Sequence, residues 1–275
     1  MLKTSIFIAD AFVGSLEGRQ LRGNPAAVAV LEAPRDAAWM QNIAHEMNLS
    51  ETAFVVPKSA TQFDLRWFTP TCEVELCGHA TLAAAHVLIE YGWLASDEIA
   101  HFYTLSGILT AQKRSQWIGL DFPSQKVEAR DLPVELAVCL GLKAAQLPVQ
   151  AFRAADDWLI EVAVPDFSRV DPDYAALKHF CRRDNSRGVI VTARGEKNID
   201  FISRFFGPAV GVDEDPVTGS AHTKLAPFWG TRLQKREMLG FQASNRGGLV
   251  RVEWRDDRVI LAGEVVTVLR GDLLI

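Results

Sequence analysis

The sequence predicts an α+β protein in which one scaffold is used twice. Three observations carry that prediction. The chain has 275 residues, enough for two domains at about 100–200 residues each. The stretch Phe63-Asp-Leu-Arg-Trp-Phe-Thr-Pro70 recurs as Phe201-Ile-Ser-Arg-Phe-Phe-Gly-Pro208, so Phe63, Arg66, Phe68 and Pro70 reappear at a lag of 138 residues, half the chain. Each copy leads through a loop into a helical segment, and the first of these, Ala80–Leu94, is apolar on nearly every face. A helix of that kind must be enclosed by protein. A curved sheet wrapped around one central helix, built twice, satisfies all three.

The elements follow in order. In the first half, Ala26–Leu31 reads as a buried strand and Asp36–Met47 as a helix, from the spacing of Trp39, Met40, Ile43 and Met47. Ala53–Val56 is a short strand, followed by the repeated strand, a loop, and the helix from about Ala80. Gly107–Lys113 and Gln116–Phe122 form a hairpin turning at Arg114-Ser115. In the second half, Trp158–Val164 is a strand, Asp173–Phe180 a helix and Gly188–Thr192 a strand. The repeated strand, a loop and a helix from about Ser220 come next. Leu249–Trp254, Arg258–Leu261 and Glu264–Leu269 are three further strands with turn signals between them. The seam falls near Pro123–Arg130. Residues 1–123 then form one half and 124–263 the other, with the last strand, about 264–275, free to return to the first. The cleft between the halves is the natural ligand site.

Composition narrows the function. The chain is 48% hydrophobic and 23% charged, the balance of a folded soluble protein. A net charge of −5 and a pI near 5.7 argue against nucleic-acid and anionic-membrane partners, which want a basic face. The most apolar stretch, 80–94, contains His86 and Glu90 and is shorter than the roughly 20 residues of a membrane span. The N-terminal apolar run is short and interrupted by Asp10, so no signal peptide is expected. Four cysteines are no disulfide framework, and a reducing cytoplasm is the default location.

Chemistry should appear where the two halves differ. The strand-to-helix loops are Cys72-Glu-Val-Glu-Leu-Cys-Gly-His79 and Gly211-Val-Asp-Glu-Asp-Pro-Val-Thr-Gly-Ser220. Each brings the backbone to a helix N-terminus, through Gly78 or Gly219, where unpaired N–H groups suit a carboxylate or phosphate. Thr218 or Ser220 could equally serve only as a helix cap. His79 and Asp215 are the proton-transfer groups of these loops. Glu51 is a third, at the entry to an apolar strand, where desolvation would raise a carboxyl pKa towards general-base use. At a lag of 137 its counterpart is Gly188, so the shared scaffold does not demand the charge.

Several motifs, in order along the chain, resemble those of the PhzF-like phenazine biosynthesis family. They are Gly23-Asn-Pro-Ala-Ala-Val28, Ser50-Glu-Thr-Ala-Phe-Val-Val56, Leu76-Cys-Gly-His-Ala-Thr-Leu-Ala-Ala-Ala-His86, Glu214-Asp-Pro-Val-Thr-Gly-Ser-Ala-His222 and Gln242–Gly248, together with the repeated Phe-x-Pro strands ending at Pro70 and Pro208. The resemblance spans essentially the whole chain. It implies the diaminopimelate epimerase-like fold, two similar barrel-like domains each around a central helix. It also implies cofactor-independent isomerisation of a small carboxylic acid, with a homodimer as the family's assembly and no metal. By motif match, Glu51 is the family's proton-shuttling Glu, and His79 and Asp215 complete the catalytic set. Gly78, Gly219, Ser220, Ser50 and Asn24 then bind the carboxylate substrate. Related epimerases use two thiols; here Cys77 takes the first place and Pro216 the second, which disfavours a two-thiol racemase.

Other readings remain at this level. Ser220 and His222 could suggest a hydrolase, although the G-x-S-x-G elbow is missing. Cys72, Cys77 and His79 could suggest a metal site, although no second pair at zinc spacing exists. A binding protein that kept the fold without turnover is the alternative outside enzymes, and an epimerase of an amino-acid-like substrate the alternative within them.

Overall fold

The computed structural model describes residues 4–142, 150–154 and 156–274. The chain divides into two compact units, Met1–Phe122 with Ile260–Ile275, and Pro123–Val259.

In the first unit, β1 (Thr4–Leu16) runs antiparallel to β2 (Arg19–Leu21) and β3 (Asn24–Val30). Helix α1 (Ala37–Met47) leads to β4 (Glu51–Pro57), which lies parallel to β3 with Ala26 opposite Glu51. Next come β5 (Gln62–Phe68), the short β6 (Glu73–Val74), and α2 (Gly78–Glu90). β7 (Ile99–Thr104), parallel to β5, begins a meander through β8 (Gly107–Arg114) to β9 (Trp117–Pro123).

The second unit holds β10 (Glu128–Arg130), α3 (Val134–Cys139), β11 (Gln150–Arg153) and β12 (Asp157–Glu161). A single turn, α4 (Val164–Phe167), precedes α5 (Tyr174–Asp184), β13 (Gly188–Arg194) and β14 (Phe201–Gly207). β15 (Val212–Asp215), α6 (Gly219–Leu233), β16 (Glu237–Gln242) and β17 (Gly248–Arg255) complete the series. The final strand, β18 (Arg258–Leu273), lies antiparallel to β1 and pairs with β9. It thereby closes the ring β1–β3–β4–β5–β7–β8–β9–β18 in the first unit.

The duplication extends to strand directions. β3 to β4 is parallel, β4 to β5 antiparallel, β5 to β7 parallel and β7 to β8 antiparallel. β12–β13, β13–β14, β14–β16 and β16–β17 repeat that series. The recurring Phe-x-x-Arg-x-Phe pattern has a physical basis. Arg66 makes a two-pronged pair with Glu73 and lies over the Phe68 ring; Arg204 does the same with Glu214 and Phe206. A guanidinium so held ties the strand to the loop that carries the next helix.

The central helices are buried around their circumference, His79–Ala85 in α2 and Ala221–Gly230 in α6. On the other face of the first sheet, Met40, Ile43 and Ala44 of α1 pack on Ala27, Ala29, Phe54 and Phe68. Several expected boundaries shift, the helix expected at Asp173–Phe180 running on to Asp184. Helix α2 stops at Glu90, because the Trp93 and Leu94 N–H groups both turn back to the Leu88 carbonyl. The strand expected at Trp158–Val164 ends at Glu161, and Val164 opens α4. Arg258–Leu261 and Glu264–Leu269 are one strand, since Gly263 is no turn but a close approach. A Cβ there would meet the Phe12 ring at 2.4 Å.

Candidate active site

Glu51 is the first residue of β4, and its side chain falls on the face occupied by α2, since alternation puts Phe54 and Val56 on the other. His79 lies in the first turn of α2. Its Nε2 stands 3.1 Å from a Glu51 carboxylate oxygen, with the side chains 6% and 18% exposed, so the pair sits at the edge of solvent. The two atoms are within ion-pair range but not aligned as a hydrogen bond, and among the described residues neither has another partner. The Nδ1 side of the ring faces the buried Asn24 amide at 3.3 Å and Cys77 Sγ at 3.5 Å.

Burial works against charge on the His79 ring, but nearby negative charge outweighs it, and its pKa lies well above the ordinary value. The Cys77 thiol is pushed up to about 11, by burial first and by Glu51 second. At that value the thiol is neutral near pH 7, so the Glu51 carboxyl is the acidic group that faces the ring there. Imidazole, carboxyl and thiol thus meet beside the N-terminus of α2, where Cys77 is the cap residue. The site can hold a proton on one side and take one on the other. Glu51, Cys77 and His79 also present three ligand atoms within 4.8 Å of one another, so this trio could hold a divalent ion. Cys72, grouped with them on sequence, is exposed and bonded to Thr69 and Thr71 instead.

Gly78 opens α2 and Ser50 directly precedes Glu51, so Ser50, Glu51, Gly78, His79 and Asn24 belong to one neighbourhood. Asp215, Gly219 and Ser220 form another, at the N-terminus of α6 in the second unit. There Thr218 is the cap residue, but its hydroxyl donates to Asp215 and accepts no N–H of the helix. Gln242 braces this loop from β16: its amide donates to the Asp215 carbonyl at 2.8 Å and accepts from the Thr218 N–H at 2.8 Å. Ser244 adds a bond to the Pro216 carbonyl, which accounts for the Gln242–Gly248 motif. Ser220 Oγ accepts from Arg187 at 2.8 Å, leaving its own proton to donate.

Arg187, Asp157 and Lys224 escaped the sequence reading. Asp157 and Lys224 are fully buried and 2.8 Å apart, and Arg187 grips the same carboxylate. A lysine inside the second central helix, among Ala221, Leu225, Ala226 and Phe228, was the available signal. The position equivalent to Glu51, Gly188, is closed to any side chain. A Cβ there would lie 2.5 Å from the Phe206 carbonyl and 2.6 Å from the Phe205 ring. By helix position Cys77 corresponds to Thr218, not to Pro216, because the turn Pro208–Val210 lengthens the second loop. Thr218 is no thiol either. His222 is no partner for Ser220. Burial lowers its pKa to about 4, and its Nδ1 is held by the Thr218 carbonyl at 2.9 Å.

Residues 10–271 match the family model described as phenazine biosynthesis-like protein. A curated protein of Halalkalibacterium halodurans, named an uncharacterized isomerase, is 47% identical with all of both chains covered. The crystal structure of a phenazine biosynthesis protein of the PhzF family from Enterococcus faecalis superposes with a TM-score of 0.90 at 39% identity, again over all of both chains. A probable proline racemase from Agrobacterium radiobacter, 10% identical over 99% of this chain and 93% of its own, shares the fold with a TM-score of 0.69.

Proposed function

The chain belongs to the phenazine biosynthesis-like protein family, an isomerase family by its curated relatives, and from that premise we propose that Glu51 moves a proton within a small carboxylic acid without a cofactor. Glu51 abstracts the proton from one carbon, and the electron pair left behind delocalises towards the substrate's carboxylate. The same carboxyl group then returns the proton to a different carbon, so atoms and charge balance within one molecule. The protonated His79 faces the developing negative charge, and the free N–H groups of α2 supplement it. On its Nδ1 side the Cys77 sulfur is the acceptor for the ring N–H, since the Asn24 amide nitrogen can only donate. Ser50, Gly78, Gly219 and Ser220 are assigned to substrate binding, and Asp215 to proton transfer with Glu51 and His79. The observation that carries this reading is the Glu51–His79 couple, an acid and an imidazole held 3.1 Å apart at the edge of solvent.

A thiol base is the weaker reading, since Cys77 at about 11 is protonated near neutrality. The discriminating experiment incubates the protein with candidate unsaturated carboxylic acids in deuterated water. An isomerase washes deuterium into substrate carbon. Glu51→Gln should lower that rate by about 10²–10⁴-fold, the range of general acid–base catalysis, while binding persists. Cys77→Ala should leave it within a few-fold. Exchange that survives Glu51→Gln sinks the assigned base, and binding with no exchange in the wild type favours a non-catalytic binding protein. Metal analysis of the active preparation decides whether the Glu51–Cys77–His79 trio works with an ion.

A further inference from the structure

We propose that the first unit carries a second binding site, on the outer face of its sheet, for a small monocarboxylate with an apolar body of branched-aliphatic or phenyl size. A pocket of about 250 Å³ opens there, floored by Leu31, Met40, Phe54 and Val56 and rimmed by Arg35, Arg66 and Leu105. Strand alternation places it on the opposite side of β4 from Glu51, so it is separate from the site described above.

The second unit shows what such a space accepts. The Leu31 N–H bonds the Val55 carbonyl, and the Val162 N–H bonds that of Thr192. In that register Leu31, Met40, Phe54, Val56 and Arg66 correspond to Val162, Leu177, Val191, Ala193 and Arg204. The connection from β3 to α1 runs over residues 31–36, whereas that from β12 to α5 runs over 162–173. The added length folds as α4 and inserts Phe167 and Val170 among Val162, Leu177 and Val191. The Val170 carbonyl accepts a hydrogen bond from Arg204 Nη1 at 2.8 Å. Arg66 makes the same carboxylate pair and ring contact as Arg204. Among the described residues, however, no acceptor meets its Nη1. One unit thus fills with its own chain what the other leaves open: a place for an apolar group beside one oxygen acceptor.

Charge decides the kind of oxygen. Arg35 lies over the Trp39 ring, 5.4 Å from its centroid, and enters no ion pair among the described residues. Asp64, the acid of the lining, is paired with Lys58 at 3.1 Å. Arg66 is already paired with Glu73, so Arg35 is the unpaired charge at this rim among the described residues, and with the open Nη1 donor of Arg66 it favours a carboxylate over a neutral carbonyl. Size decides the body, because the volume lies below the roughly 300–1,000 Å³ of sites for drug-sized ligands.

The test titrates the full-length protein with 4-methylpentanoate and 4-phenylbutyrate, and with their neutral amides, while following methyl NMR signals. Saturable shifts at Met40, Leu31 and Leu105 are expected with the acids, and about five-fold weaker binding of the amides. Arg35→Ala should weaken the acids by a similar factor and leave the amides unchanged. Val56→Trp, which fills the floor, should abolish the shifts in a protein whose thermal melt shows it folded; should it not fold, the Arg35→Ala comparison decides. Absence of saturable shifts at millimolar acid overturns the proposal, as do equal affinities for acid and amide. Shifts centred on His79 assign the acids to the other site and also overturn it. Binding of the heptapeptide Val-Pro-Asp-Phe-Ser-Arg-Val, the sequence of 164–170, in place of the acids overturns it in favour of a peptide.

Discussion

Glu51 and His79 come from different elements, and neither is unusual in sequence. What makes them a pair is that the start of β4 lies beside the first turn of α2, bringing the two within 3.1 Å. Both residues could be named from the sequence; the distance between them could not. His222 shows the reverse case, a histidine whose environment removes it from chemistry. Its equivalent in α2 is Thr81, which bonds the Cys77 carbonyl as His222 bonds that of Thr218. The folded protein holds His222 neutral down to about pH 4, while the unfolded chain protonates it near 6.5. The unfolded state therefore binds more protons in that window, and stability falls as pH drops from 6.5 to 4. At about 1.36 kcal/mol per pH unit the loss is about 3 kcal/mol. His222→Thr should flatten the fall, as read from denaturant midpoints across that range; an unchanged slope would assign the acid sensitivity elsewhere.

Elements were legible where local chemistry set their ends. Helices α1 and α5 each begin after an aspartate that accepts a backbone N–H three residues on, Asp36 from Trp39 and Asp173 from Ala176. Each ends on an asparagine in the left-handed region, Asn48 and Asn185. Such pairs of signals need no tertiary context. Asp36→Ala and Asp173→Ala should each cost about 1 kcal/mol, measured by chemical denaturation of each variant. No loss in either would mean that packing alone sets these helices. Strands were harder to bound. The short β6 and β15 are held by the Arg66–Glu73 and Arg204–Glu214 pairs and not by an apolar run. Gly263 resembled a turn because glycine permits one, although here it serves the Phe12 ring.

At the scale of the whole molecule, no helix among the described residues is long and apolar enough to cross a membrane. The two units share a strand series yet differ in one decisive way: the first is closed by the end of the chain. β18 pairs along β1, from Leu273 opposite Thr4 to Glu264 opposite Val13. Deleting residues 260–275 would leave β1 and β9 as open edges in the middle of an apolar ring. The truncated protein should lose protease resistance in residues 4–122, as limited proteolysis with mass mapping would show. A ring that stays protected would mean that β18 is dispensable.

The repeat, the starts of α1 and α5 and the enclosed helix were legible in the sequence because each depends on neighbours close along the chain or on a pattern copied whole. The same patterns carried the family resemblance, and with it the choice of Glu51, His79 and Asp215. The return of the last strand to the first half was open in the sequence, but its register along β1, the 3.1 Å approach of Glu51 to His79, and the Asp157–Lys224–Arg187 cluster came only from the tertiary structure. The pocket that one unit leaves open and the other fills came from there as well. These depend on atoms far apart in sequence meeting within a few ångströms, and on charges whose state is set by burial. Composition and spacing record which groups are present; packing alone decides which of them face each other and in what protonation state.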